Sequence, residues 1–418
     1  MNPMSNLPKK NLLVFTLSPP LPASSGAPIY ITNTLLPLAA KYNLYLYTIG
    51  GEAEVEHIRK HQAEYDLYFH YVHVETRASM PSQKSTLGRI LHSIEHIRHG
   101  LPFMDASYYS RSAVRSARRI VRQHNIQAME IHSSHLAFFK KFLPEVPAVL
   151  VSHNIESDIF PFWIPQNLSG WKKAAVEFVA RISRKNAHQV EVENKWNFEA
   201  MTFISMNDMN RVSAALDKQY IPLCLPVKDI DYATRPEPPV NLLWMGGFWW
   251  YPNAEGVLWF VRDILPLVRD QLSTMNVCLH FLGAEPPDEL KAIHDGHNIL
   301  VHGFVDSLDE MLARTHLLFV PLLSGGGVRV KILEAMSNGI PVLSTSKGCE
   351  GLGVTDGVDI VVRDDAASFA EAMLQLAGDR ELRNRLSGAC RNLLNEKYNL
   401  QRCIDEKDRI YRKLLASA

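Results

Sequence analysis

The chain has 418 residues, of which 46% are hydrophobic and 21% charged, and its 44 basic residues equal its 44 acidic ones. A globular chain of this length is expected to form about two domains, and the lack of a basic excess argues against nucleic-acid binding. No apolar stretch is long enough for a membrane-spanning helix, and residues 1–15 lack a signal-peptide cleavage site. We therefore expect a cytoplasmic protein.

Apolar, strand-like runs alternate with helical patterns through both halves of the chain, which is typical of an α/β fold with parallel sheets. The predicted strands cover residues 11–17, 43–50, 67–74, 128–133, 148–154 and 203–206 in the first half, and 241–247, 277–283, 299–304, 317–323, 341–346 and 359–362 in the second. We predict two Rossmann-like lobes, over 1–224 and 241–400, whose parallel sheets face a cleft that holds the ligand.

The segment between these lobes, 225–240, is rich in proline and charge and is predicted to be a linker. The last segment, 401–418, is predicted to be a helix, and its return to the N-terminal lobe is left open. The five cysteines are scattered without a C-x-x-C pair, which indicates neither a disulfide framework nor a zinc site.

Three segments of the N-terminal half carry candidate functional residues. The small-residue loop that follows the first strand contains Ser24, Ser25 and Gly26, and it suits close approach of a ligand, although a flexible loop is the alternative. The run "RSAVRSARRIVRQH" places five arginines along one helix face, either as a solvated face or as a contact with an anionic membrane surface.

The third N-terminal segment is "VLVSHNIES", where a predicted strand ends just before His153. Proteins with α/β folds place ligand-binding groups at this end of a strand, although a single histidine is more often structural. Weaker candidates at the same sheet edge are His132, His135 and Glu350. The spacing "HSSH" is not that of a metal site, and we expect no metal.

The stretch "PLLSGGGVRVKILEAMSNG" contains the strongest functional pattern, a strand followed by a glycine loop and a helix that ends at Gly339. The backbone N–H groups of Gly325, Gly326, Gly327 and Val328 suit an anion, because a helix N-terminus carries unpaired donors and the positive end of the dipole. Arg329 and Lys331 add two cations. Both can face one anion only if the backbone is not yet helical at Arg329.

Three stretches together, "SPPLPASSGAPIYITNTLLPLA", "LLWMGGFWWYPNAEG" and "HGFVDSLDEMLARTHLLFVPLLSGGGVRVKILEAMSNGIPVLSTSKGCEGL", resemble the GT-B glycosyltransferases of the large retaining family 4. The resemblance implies transfer of a sugar from a nucleotide-activated donor, UDP- or GDP-linked, without a metal or another cofactor. It implies donor contacts at Ser25, Gly26, Gly247 and the glycine loop, a sugar contact at His153, and a ribose contact at Glu334.

One position departs from the family pattern, which has two glutamates separated by seven residues. Glu334 matches the second glutamate, but Gly326 stands at the position of the first. The resemblance therefore leaves the donor sugar undefined. The acceptor is expected to be a glycan, a lipid-linked molecule or a small molecule, with peripheral contact at the inner membrane face as one possibility. The alternatives are a catalytically silent GT-B protein that binds a sugar nucleotide or a partner, and a nucleotide-sugar epimerase.

Overall fold

The computed structural model describes residues 8–23, 26–76, 98–101, 108–159, 169–213, 215–305 and 307–416. The chain forms two compact units. Unit 1 comprises Met1–Leu223 and Gln401–Ala418, and unit 2 comprises Cys224–Leu400.

Unit 1 is built on a seven-stranded parallel sheet with the strand order β3-β2-β1-β4-β5-β6-β7. Its central strands are apolar on both faces: four consecutive residues of β1, from Leu12 to Phe15, are buried. Burial on both faces is characteristic of parallel sheets covered by helices. The strands are β1 Asn11–Thr16, β2 Asn43–Gly50, β3 Phe69–Thr76, β4 Ala128–His132, β5 Ala148–Ser152, β6 Ala200–Phe203 and β7 Lys218–Tyr220.

The helices of unit 1 follow the predicted alternation with the strands. They are α1 Gly26–Thr34, α2 Glu52–Lys60, α3 Gln62–Asp66, α4 Arg111–Gln123, α5 Phe138–Phe142, α6 Glu156–Ile159, α7 Gly170–Glu191 and α8 Met206–Arg211. Helix α4 is the arginine-rich helix: its apolar side is buried, and Arg115, Arg118, Arg119 and Arg122 are exposed. Its N-terminus is capped by Ser110, whose Oγ accepts a hydrogen bond of 2.9 Å from the Ala113 N–H.

Unit 2 is built on a six-stranded parallel sheet with the order β10-β9-β8-β11-β12-β13. Its strands are β8 Val240–Met245, β9 Val277–Leu282, β10 Ile299–Gly303, β11 Leu317–Val320, β12 Val342–Ser344 and β13 Val361–Val362. Its helices are α9 Tyr251–Trp259, α10 Leu265–Thr274, α11 Asp288–Ala292, α12 Asp309–Arg314, α13 Val330–Ser337, α14 Ala366–Gly378 and α15 Arg380–Lys397. Both sheets therefore have the predicted parallel α/β architecture.

Residues 225–240, predicted to be a linker, instead pack as part of unit 2. Arg235 is 4% exposed and donates hydrogen bonds to the Leu312 carbonyl at 2.7 Å and the Asn338 carbonyl at 2.8 Å. The Tyr232 hydroxyl donates to the His316 carbonyl at 2.5 Å. The segment thus follows a fixed path over unit 2. Its buried side-chain donors form hydrogen bonds with backbone carbonyls that would otherwise be unpaired.

The last helix, α16 Leu400–Ala416, returns the chain to unit 1. Tyr411 and Leu414 are buried there, and the Tyr42 hydroxyl donates a 2.7 Å hydrogen bond to Asp408. Lys413 forms an ion pair with Asp217 at 2.6 Å. Among the described residues, none of the helices combines the length and the apolar character needed to cross a membrane.

Arg383 of α15 connects the 225–240 segment to the end of α14. The side chain is 1% exposed, and its guanidinium donates to the carbonyls of Leu376 and Ala377 at 2.6 and 2.7 Å and to the Glu237 carboxylate at 2.6 Å. It therefore satisfies two of the four carbonyls that the end of a helix leaves without an internal partner.

We expect Arg383→Met to destabilise the protein by about 3–5 kcal/mol, because it leaves a partly buried carboxylate and two helix-end carbonyls unpaired. Chemical denaturation measures the loss. The matched control is Arg385→Met on the same helix, where the arginine is exposed and the substitution should leave stability nearly unchanged. Equal unfolding midpoints for the two variants would contradict a stabilising role for Arg383.

Candidate functional site

The glycine loop follows β11 and leads into α13. Gly325 and Gly327 have φ values of +99° and +78°, a region that side chains other than glycine rarely adopt. At Gly326 the backbone is not in that region, the residue is exposed, and an added Cβ would meet no atom within 4 Å. A glutamate would therefore fit at Gly326, and steric exclusion does not explain its absence.

Arg329 stands at the N-cap of α13, and its backbone is not helical, with φ −84° and ψ 85°. Its guanidinium turns back to the glycine loop, donating to the Gly326 carbonyl and, at 3.4 Å, to the Ser324 carbonyl. The side chain is 8% exposed, and its Nε has no hydrogen-bond partner in the described part of the chain. Burial lowers the pKa of Arg329. Arg329 thus fixes the loop through its two terminal guanidinium nitrogens.

Lys331 is the second cation and the second residue of α13. Its ammonium donates a 2.9 Å hydrogen bond to Asn253 Oδ1 and lies 4.7 Å from the centre of the Trp244 ring. Burial, with a smaller effect of the Arg329 charge, lowers the pKa of Lys331 to about 7. No carboxylate forms an ion pair with Lys331 among the described residues. The ammonium is therefore partly buried without a counter-ion from the described residues, and a bound anion would stabilise its charged form.

The turn after β8 makes room for the Lys331 ammonium. Gly246 has a φ of +149°, and a Cβ there would lie 2.7 Å from Lys331 Nζ. The Gly247 carbonyl accepts a 2.8 Å hydrogen bond from the amide of Asn253. Trp244 and Asn253 were not predicted as site residues, although "WMGGFWWYPN" combines a strand end, two glycines and a helix start, which is the pattern that could have indicated them.

Glu334 lies one helical turn beyond Lys331, on the same side of α13, since residues three apart are neighbours on a helix. The side chain is partly buried, and its carboxylate accepts no hydrogen bond from the described residues. Burial raises the pKa of Glu334, the positive charge of Lys228 opposes that shift, and Asp309 adds to it. The carboxylate is consequently available as a hydrogen-bond acceptor beside the two cations.

The loop after β12 completes this edge of the unit 2 sheet. Thr345 Oγ1 donates to the Leu322 carbonyl at 2.5 Å and accepts from the Gly348 N–H at 2.9 Å, so it fixes this loop to the segment that follows β11. Glu350, a weaker candidate from the sequence, pairs with Lys347 at 2.5 Å, and its charge opposes the lowering of the Arg329 pKa by burial. The carboxyl ends of β8, β11 and β12, adjacent in the sheet, therefore carry the residues of the candidate site, and this is the edge at which open α/β sheets bind ligands.

In unit 1, His153 follows β5, at the carboxyl edge of that sheet. Its Nε2 lies 3.1 Å from His132 Nδ1, and its ring contacts the Tyr30 ring edge-on at 5.4 Å between centres. Burial, and then the charges of His132 and Lys407, lower the pKa of His153 to about 3. The histidine is therefore neutral at physiological pH. The structure brings His132, a weaker candidate, into direct contact with it.

The backbone that follows His153 is held by Glu191, which the sequence did not indicate. Its carboxylate accepts hydrogen bonds from the N–H groups of Glu156 and Ser157 at 2.9 and 3.1 Å and from Ser134 Oγ at 2.6 Å. Burial raises the pKa of Glu191 to about 7. His135 lies 3.8 Å from the Glu156 carboxylate. No short-range pattern could have revealed Glu191, because it is distant in sequence from the segment it holds.

The small-residue loop of the N-terminal half is described only in part. Gly26 is the first residue of α1, whereas Ser24 and Ser25 lie outside the described residues. No group of three or more His, Cys, Asp or Glu side chains in the described part of the chain is arranged to hold a metal ion.

Comparison with known proteins gives one family match and many structural ones. Residues 239–379 match the model of a family described as "Glycosyl transferases group 1". A curated Klebsiella pneumoniae protein, described as an uncharacterized 44.6 kDa protein in the cps region, is 26% identical over 185 residues. That match covers 43% of this chain and 47% of the relative, so it spans about half the length of the relative.

Solved structures match almost the whole chain at low identity. A glycosyltransferase from Rickettsia africae has a TM-score of 0.63 and 10% identity, covering 98% of this chain and all of that one. Anabaena Alr3699/HepE, solved with UDP and glucose, has a TM-score of 0.60 and 13% identity, with coverages of 97% and 100%. WaaG, a glycosyltransferase of lipopolysaccharide biosynthesis, has a TM-score of 0.59 and 11% identity, with coverages of 96% and 99%. The chain therefore has the GT-B fold, and the match of unit 2 to the group 1 glycosyltransferases supports glycosyl transfer as its activity.

Proposed function

We propose that this protein is a retaining, family 4-like glycosyltransferase that moves a sugar from a UDP- or GDP-linked donor to a glycan, lipid-linked or small-molecule acceptor, without a metal. The observation that carries the proposal is Lys331, a desolvated ammonium that follows a glycine loop and has no carboxylate partner in the part of the chain that the structure describes. A diphosphate would supply the missing negative charge, and loop N–H groups would donate to its oxygens.

The chemistry of transfer fits this arrangement. A nucleoside diphosphate gains negative charge as its bond to the sugar breaks, so a fixed cation lowers the barrier if it binds the leaving group more strongly than the intact donor. Lys331 suits this role, and Arg329, bonded to loop carbonyls, keeps the loop N–H groups in place. Glu334 would accept hydrogen bonds from the ribose hydroxyls.

The similar proteins are consistent with this proposal. Alr3699/HepE has been solved with UDP and glucose, and with UDP-glucose, and the K. pneumoniae relative is named for a cps region. These names favour a uridine donor and a polysaccharide acceptor for this chain. A catalytically silent sugar-nucleotide-binding protein is the second candidate, because Gly326 stands where the family's first glutamate would be.

The Lys331 position predicts proton uptake when a diphosphate binds. The free lysine has a pKa of about 7, and a bound diphosphate raises it, so above pH 7 the protein must take up a proton to bind with full strength. Affinity for UDP or GDP should fall as the pH rises from 7 to 8.5, where the terminal phosphate, with a second pKa of about 6, is already ionised. Calorimetry in two buffers of different ionisation heat measures both effects.

Lys331→Met should bind the same nucleotides about tenfold to a hundredfold more weakly, with no proton uptake over this range, because one charge-assisted contact is worth about 1.5–3 kcal/mol. Lys291→Met removes an exposed lysine of unit 2 that is paired with Asp288 and is the matched control. Affinity that is independent of pH and unchanged in Lys331→Met would rule out the phosphate role.

For Glu334, we expect Glu334→Gln to discriminate less than the wild type between a nucleoside diphosphate and its 2′,3′-dideoxy analogue. The amide keeps the shape of the carboxylate but loses its charge and one of its two acceptor oxygens. Competition binding measures the discrimination, and Glu371→Gln, at an exposed position of α14, is the control. Equal discrimination by the wild type and Glu334→Gln would remove the ribose role.

His153 should matter for transfer and not for nucleotide binding, because the proposed diphosphate site consists of unit 2 residues. We expect His153→Ala to bind the bare nucleoside diphosphate almost normally, and to lower kcat and kcat/KM in parallel by at least about a hundredfold. Calorimetry and turnover of a panel of UDP- and GDP-sugars test the two halves of this statement. Near-normal turnover would make His153 structural, and no turnover in the wild type would favour the silent protein.

A further inference from the structure

A chain of buried polar side chains connects helix α16 to His153. Its centre is Glu130 of β4, which is 1% exposed. Lys407 Nζ lies 2.8 Å and His132 Nε2 lies 2.6 Å from the same oxygen, Glu130 Oε1. The Tyr411 hydroxyl donates to the other oxygen, Oε2. His132, in turn, contacts His153 through its second ring nitrogen, Nδ1.

The charges of this cluster fix where its protons lie. Burial alone would raise the pKa of Glu130, but Lys407 and His132 hold it at about 2. Glu130 is therefore a carboxylate, which can only accept hydrogen bonds, and His132 must carry its proton on Nε2. Lys407 already balances the single negative charge, so a second buried cation at His132 would be unfavourable. Burial accordingly lowers the pKa of His132.

A neutral His132 with its proton on Nε2 has a lone pair on Nδ1. The neighbouring His153 Nε2, 3.1 Å away, must then carry a proton and donate it. Because His153 is also neutral, its own Nδ1 has a lone pair, and no other hydrogen bond involves His153 among the described residues. The stacked His132 ring, at 5.3 Å between centres, and the Tyr30 ring hold the orientation of His153.

We propose that Glu130 and His132 are positioning residues that hold His153 in one tautomer, with Nδ1 as a hydrogen-bond acceptor, and that Lys407 of α16 supplies the balancing charge. This inference rests on the proposed function. A neutral acceptor at His153 selects a ligand group that donates a hydrogen bond, which for a sugar substrate is a hydroxyl, and it gives no attraction to a phosphate. An acid residue that orients a histidine through its second nitrogen is a recurrent device at functional sites.

Helix α16 and helix α1 surround this cluster with further polar groups. Lys407 Nζ also donates to Thr34 Oγ1 at 3.3 Å and lies 5.0 Å from the centre of the Tyr30 ring. Cys403, on the same helix, opposes the lowering of the Lys407 pKa by burial, and Tyr42 adds to the raising of the Tyr411 pKa. Lys407 is the cation that contacts Glu130, so α16 contributes the charge balance on which the tautomer of His153 depends.

Nitrogen NMR of the ligand-free protein tests the tautomer without any assay of activity. In protein labelled with ¹⁵N-histidine, with His153 assigned by its loss in His153→Gln, we expect a protonated shift at Nε2 and an unprotonated shift at Nδ1. The pattern should persist from pH 6 to pH 8. Averaged shifts, a proton on Nδ1 or titration within this range would overturn the inference, whatever the protein catalyses.

The double variant Glu130→Gln/Lys407→Met removes one negative and one positive charge together, which avoids leaving either buried charge unpaired. We expect averaged His153 shifts, unchanged UDP or GDP affinity, and kcat lowered about tenfold to a hundredfold. In a His153→Ala background the same pair should lower kcat no further, because it acts through that histidine. An equal loss in both backgrounds would show a structural role only.

The matched control is Asp217→Asn/Lys413→Met, which removes the more exposed ion pair of the same helix. It should leave the His153 shifts and kcat unchanged. If the double variant at Glu130 and Lys407 fails to fold, His132→Leu provides the second test, since it removes the acceptor for His153 Nε2 without changing charge. Retention of the single His153 tautomer in His132→Leu would contradict the inference. A fixed tautomer with no transferase activity would retain the positioning inference and refute the proposed function.

Discussion

The close approach of a lysine to the backbone of the β8 turn is the constraint that organises unit 2. A Cβ at Gly246 would lie 2.7 Å from Lys331 Nζ, so this glycine is what lets the ammonium lie between Trp244 and Asn253. A pKa of about 7 in place of 10.5 means that the charged form is disfavoured by on the order of 5 kcal/mol. Groups whose charged form is disfavoured in this way occur preferentially at functional sites, and Lys331 lies in the first turn of the helix that follows the glycine loop.

In unit 1, by contrast, the buried charge of Glu130 is balanced by its neighbours. Glu130 is surrounded by Lys407, His132 and Tyr411, so its carboxylate is fully compensated within the fold. A buried charge that is paired within the fold fixes the orientation of its partners, whereas an unpaired one is stabilised only when a counter-ion binds. The contrast separates His153, which its surroundings keep neutral, from Lys331, whose ammonium has no carboxylate partner among the described residues.

The apolar runs were enough to predict both parallel sheets, because buried parallel strands need continuous hydrophobic sequence. Strand β7, "KQY", was missed since it is short, polar and at the sheet edge. The helix end before Gly339 was predicted from the glycine, and the spacing of Arg329 and Lys331 made a non-helical backbone at Arg329 the condition for a shared anion; the structure has that backbone. Residues 225–240 were misjudged because a buried arginine such as Arg235 looks like a solvated charge in sequence. Glu191 acts through contacts that no local pattern encodes, because it is distant in sequence from the segment it holds.

Gly326 stands where the pattern of the resembling family has its first glutamate, and its surroundings show what an acidic side chain would change there. Gly326 leaves open space where an acidic side chain would fit, and its carbonyl is bonded to Arg329. An acid at that position would lie close to the buried guanidinium and would neutralise part of the positive field around the loop. With glycine at this position that carboxylate is missing, and the acidic charge that acts on Arg329 is that of Glu350. In the proposed function, glycine in place of the glutamate removes a sugar contact but strengthens the attraction for the diphosphate, which is the part of the donor that every sugar nucleotide shares.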